Sequence, residues 1–77
     1  MFGSKIIKTI FIEGMSCGHC SKRVQEALKS VNGVKSVSVN LEENTATVVL
    51  KTDVDNKTLK TAVEDVGFKA VDIKVDN

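Results

Sequence analysis

The sequence predicts an α+β sandwich in which a four-stranded antiparallel sheet carries two helices on one face. Three observations point there. Apolar residues alternate in four separate stretches, as they do in half-buried strands. In two further stretches they recur at i, i+3, i+4 and i+7, the stripe of an amphipathic helix. The six stretches follow one another as β-α-β-β-α-β within 77 residues, too few for two cores that would each fold alone. One domain over residues 1–77 is therefore expected, with a core from about residue 5 to residue 75.

The first strand is read over Lys5 to Glu13, with Ile6, Ile10 and Ile12 on one parity and Ile7 and Phe11 on the other. Val24, Ala27, Leu28 and Val31 then form a helical stripe. Asn32-Gly33 stops that helix, glycine being suited to the left-handed position past a helix end. Val37, Val39 and Leu41 alternate with Ser36, Ser38 and Asn40 as a half-buried strand. Glu42 to Asn44 turns the chain, and Ala46, Val48 and Leu50 return it as the second arm of a hairpin. Asp53 or Asp55 is placed to cap the next helix, whose stripe is Leu59, Ala62, Val63 and Val66. Gly67 ends this helix as Gly33 ends the first. Val71, Ile73 and Val75 alternate as the last strand. This order closes as the ferredoxin-like arrangement.

Composition narrows the function. Eleven basic against ten acidic residues leave a net charge of +1, which does not supply the concentrated positive surface that phosphate backbones require. With three Phe and no Trp or Tyr, no stacking platform for single strands is evident either. Nucleic acid is thus not an expected partner. No apolar run approaches the roughly 18–20 residues of a membrane span. Lys8 interrupts the N-terminal apolar stretch and no small-residue cleavage site follows, so no signal peptide is read and a reducing cytosol is expected. There a cysteine pair is a metal-binding or catalytic feature rather than a structural one.

Both cysteines fall in Met15-Ser16-Cys17-Gly18-His19-Cys20, where the first strand gives way to the first helix. Cys17 lies in the loop and Cys20 in the first helical turn. Free amide N–H groups at a helix start favour negative charge, so the thiol pKa values are expected below the free value of about 8.5. Lys22 and Arg23 add positive charge nearby and are placed to steer an acidic partner, although solvation of a helix face explains them equally well. Two thiolates without a carboxylate suit a soft monovalent ion, above all Cu(I). A structural zinc site needs four ligands, whereas the chain offers two Cys and one His, and His19 is expected to face solvent. Ser16 likewise withholds the hard oxygen that Asp or Glu would offer Zn(II). Met15 is read as a core filler beneath the loop.

A redox reading stands beside the metal one, because Cys-Gly-His-Cys is also the active-site tetrapeptide of the protein disulfide isomerases. The thioredoxin-like fold that carries it is longer and faces its disulfide with a cis-proline. This chain has no proline and a different order of elements. A carrier that performs no chemistry on a substrate is the preferred reading, with a thiol–disulfide oxidoreductase as the alternative of another class.

The chain resembles the heavy-metal-associated domain family, and within it the bacterial copper chaperones. Gly14-Met15-Ser16-Cys17-Gly18-His19-Cys20 matches the family's GMxCxxC loop. Val31-Asn32-Gly33-Val34 matches its helix-ending turn and Val66-Gly67-Phe68 its late glycine-aromatic turn. The resemblance implies the ferredoxin-like fold, Cu(I) held by Cys17 and Cys20, and docking onto a copper-transporting P-type ATPase. It also places Phe68 near the metal loop. Free bacterial chaperones typically carry Tyr at that position and ATPase N-terminal domains often Phe, so an excised transporter domain stays open as an alternative. The initiating Met1 and the compact chain favour the free chaperone. It is expected to be monomeric without metal, with a copper-bridged dimer left open.

Overall fold

The computed structural model of the chain describes residues 6–15 and 18–76. Six elements follow in the expected order: β1 (Ile6–Glu13), α1 (Gly18–Lys29), β2 (Val34–Asn40), β3 (Thr45–Leu50), α2 (Asn56–Asp65) and β4 (Lys69–Asp76). The strands lie in the order β2-β3-β1-β4, and every neighbouring pair is antiparallel. This is the ferredoxin-like α+β sandwich that the periodicities predict. Ile10 and Ile12 of β1 and Ala46, Val48 and Leu50 of β3 share one core with Val24 and Leu28 of α1 and Leu59 and Val63 of α2. Leu28, Leu50 and Leu59 are buried in it, each stabilising the fold by roughly 1.5–3 kcal/mol relative to exposure. No helix among the described residues is long and apolar enough to cross a membrane.

The departures from the sequence reading have identifiable causes. Leu41 is not part of the second strand. The Asn40 side-chain Oδ1 accepts the backbone N–H groups of Glu42 at 2.9 Å and Glu43 at 3.2 Å, which bends the chain at that point. β2 therefore ends at Asn40 and leaves Leu41 exposed. In β4, Phe11 pairs with Asp72 but Ile12 pairs with Ala70. Val71 is the extra residue of a β-bulge, which breaks the period of two. Ile73 keeps the parity of Ile10, while Val71 is exposed.

The two glycines read as equivalent helix ends differ. Gly67 directly follows the C-cap Val66 of α2 with φ +93°. Its N–H donates to Glu64 O at 3.0 Å and that of Phe68 to Val63 O at 3.3 Å, the Schellman pattern. α1 instead stops at Lys29, and Gly33 sits in the turn closed by the Val34 N–H to Val31 O bond at 3.2 Å. Asp55, not Asp53, occupies the N-cap position of α2, and its side chain makes no capping bond.

Lys8, seen in the sequence only as an interruption, is buried on the core face of β1. Its ammonium donates to the Val54 carbonyl at 2.7 Å and to Asn56 Oδ1 at 2.8 Å. A buried cation requires such partners, and here they fasten β1 to the start of α2.

Candidate metal centre

β1 ends at Glu13 and hands the chain to Gly14 and Met15 before α1 begins. Met15 is buried within the core cluster, which agrees with its reading as an anchor beneath the loop. Ser16 and Cys17 lie outside the described residues, so of the two expected thiol ligands only Cys20 is placed. It stands in the first turn of α1, half-buried and packed against the core. His19 beside it is exposed, as expected, and so are Lys22 and Arg23. Among the described residues no three His, Cys, Asp or Glu side chains come together as a metal-binding group.

Two local features shape this end of the molecule. The first turn of α1 contains no carboxylate, so no acid of its own competes with a thiolate for the exposed amide N–H groups. Gly18 opens the helix with space around it, since a Cβ there would meet nothing within 4 Å. Its carbonyl accepts the Ser21 hydroxyl at 2.8 Å. The helix start is thus exposed at Gly18 and packed against the core at Cys20.

Phe68 reaches the same end from the other half of the chain. The backbone closure at Gly67 turns the chain from α2 toward β4 and sets Phe68 against Gly14. A Cβ on Gly14 would lie 3.3 Å from Phe68 Cδ1. Phe68 is half-buried and packed on the core. The family resemblance placed Phe68 near the loop, and the contact with Gly14 agrees with it; periodicity alone joins residue 14 to residue 68 in no way, because that contact depends on how α2 and β1 align in space.

The heavy-metal-associated domain profile matches residues 9–69. The copper chaperone CopZ of Staphylococcus aureus (strain JH9) is 43% identical over 61 residues, which cover 78% of this chain and 90% of that protein. Copper-transporting ATPase 1 of Rattus norvegicus is 41% identical over 64 residues, covering 82% of this chain but only 4% of the transporter. Among solved structures, a CopZ metallochaperone superposes with a TM-score of 0.79 at 39% identity, over 84% of this chain and 98% of that one. A copper binding domain from HMA7, a P-type ATPase, superposes with a TM-score of 0.76 at 35% identity, over 96% of each chain.

Proposed function

The chain belongs to the heavy-metal-associated domain family, and on that premise we propose that it carries Cu(I) on the thiolates of Cys17 and Cys20. The observation that carries this reading is the position of Cys20. It stands in an acid-free first turn, held from below by the core and open to solvent at Gly18 and His19. The chain acts as a single domain in the cytosol and performs no reaction on a substrate. Its recipient is a copper-transporting P-type ATPase, a role supported by the likeness to copper chaperones and to ATPase domains alike.

Two soft sulfurs satisfy Cu(I) without filling its coordination sphere. A thiolate of the recipient enters to give a three-sulfur arrangement, and one thiolate of this chain then leaves before the other. The ion is never bare, so transfer is fast although binding is tight. Lys22 and Arg23, exposed on the first turns of α1, steer an acidic recipient surface and raise the encounter rate more than the affinity.

The test is Cu(I) stoichiometry in excess glutathione. One Cu(I) per chain is expected, with Cys17→Ser and Cys20→Ser each losing tight binding while the far-ultraviolet circular dichroism is kept. Stoichiometric retention by either variant would end the two-thiolate assignment. Catalysed disulfide exchange without copper retention would favour the oxidoreductase reading instead.

A second reading, the N-terminal metal-binding domain of a transporter, is supported by Phe68 and by the 41% identity with an ATPase. The mass of the native product in a cell extract distinguishes the two.

A further inference from the structure

β4 forms one edge of the sheet, and its outer side is unusual. Among the described residues, the exposed large hydrophobics are Leu41, Val71 and Val75, two of them on this strand. Val71 borders a cavity of about 470 Å³ shared with Ala70, Ile73, Lys57 and Lys60, between α2 and β4. The backbone N–H of Ile73 donates to the Asp72 side chain at 2.9 Å, and therefore not to β1. Backbone groups alternate sides along a strand, so Ile73 and Val75 present theirs to the open edge while Asp72 and Lys74 pair inward with Phe11 and Thr9.

We propose that this edge associates with a second copy of the chain, antiparallel and with a twofold axis at Ile73. That register sets Ile73 opposite its own counterpart, with both outward N–H and C=O groups matched. It sets Val71 opposite Val75 of the second copy and Asp72 opposite Lys74 of the second copy, each pair occurring twice by symmetry. Apolar meets apolar and acid meets base, the cross-strand pairs that stabilise antiparallel sheets. The other edge strand has no such property. A twofold at Val37 of β2 sets Ser36 opposite Ser38 and Lys35 opposite Val39.

The exchange of contacts is nearly balanced. Asp72 gives up the Ile73 N–H and gains a lysine ammonium, and the freed N–H gains a carbonyl. Lys74 leaves the face of the Phe11 ring, now 5.5 Å from its Nζ, for a carboxylate. The bulge at Val71 keeps the shared ladder short, as bulges on edges generally do. Association is therefore concentration-dependent, and it involves neither cysteine. It replaces the expected apo monomer only at high concentration and is distinct from a copper bridge.

The experiment uses the reduced, metal-free chain, followed by sedimentation and amide NMR from micromolar to millimolar concentration. Wild type is expected to dimerise, with shifts concentrated on β4. Asp72→Lys and Lys74→Asp should each weaken self-association roughly tenfold, since both symmetric pairs become repulsive. Mixed in equal amounts, the two variants restore every acid–base pair and should form a heterodimer tighter than either homodimer. A wild type that stays monomeric at millimolar concentration would overturn the proposal. A mixture that associates no more than its components would do the same.

Discussion

The passage that leads from β1 into α1 and the passage that leads from β3 into α2 lie at opposite ends of the sheet, because the two strands run antiparallel. Among the described residues both bury one apolar side chain before their helix, Met15 in the first case and Val54 in the second, to the same degree. Beyond that they diverge. The second passage is tied down: Lys8 bonds Val54 and Asn56, the Lys51 N–H donates to Gly33 O at 2.6 Å, and Gly33 packs on Thr52 and Val54. The first leaves Gly18 and His19 exposed, with no carboxylate in the helical turn. One topology thus produces two helix starts, and among the described residues the first is exposed at Gly18 and His19 where the second is tethered. The tethered one fixes the frame.

Substitutions can break or sharpen that contrast. Met15→Ala removes the main anchor of the open passage and should destabilise the chain by about 2–5 kcal/mol. Urea denaturation reads that loss, and Cu(I) stoichiometry should remain one; a thioether in the copper first shell by X-ray absorption would contradict the anchor role. Gly33→Ala forces a side chain into a left-handed backbone at φ +97°, with its Cβ 2.6 Å from Thr52 Oγ1 and 2.8 Å from Val54 Cγ2. Strain and overpacking together should cost about 2–4 kcal/mol, and a neutral result would show that the tied passage is looser than described. Lys8→Met keeps the buried stem but leaves the Val54 carbonyl and Asn56 Oδ1 without their donor, at a cost of about 1–3 kcal/mol. The smallest effect belongs to the open end. Gly18→Ala meets nothing within 4 Å and should stabilise α1 by about 0.5–1 kcal/mol, measurable as a rise in Tm with unchanged copper binding.

Much of this was legible in the sequence because the core obeys simple periods. Ile10, Ile12, Ala46, Val48, Leu50, Leu28 and Leu59 all fall on predicted stripes and all are buried. What escaped was whatever depends on a partner distant in sequence. Val71 has the composition of a strand residue, but the bulge that exposes it arises only where β4 meets β1. Lys8 carries no mark of burial, since its acceptors are 46 and 48 residues away. Leu41 shows the local counterpart: a period of two was extended past Asn40, whose side chain had already begun the turn. At the candidate site the motif located Cys20 and Met15 correctly, and the resemblance placed Phe68 near the loop, whereas its seat against Gly14 in particular came only with the assembled fold.

The burial of Lys8 has a practical consequence for measuring this molecule. Every other described lysine is exposed, so among the described residues an amine-directed acylating reagent meets exposed sites and one shielded site. Lys8 is modified only when β1 and the start of α2 separate, an event that in a small two-state domain approaches global unfolding. The ratio of its labelling rate to that of an exposed lysine, read by mass spectrometry, then reports the unfolding equilibrium directly in dilute or crowded solution. Because acylation removes the ammonium that Val54 and Asn56 require, each chain labelled there is trapped as a destabilised form, and the label records its history.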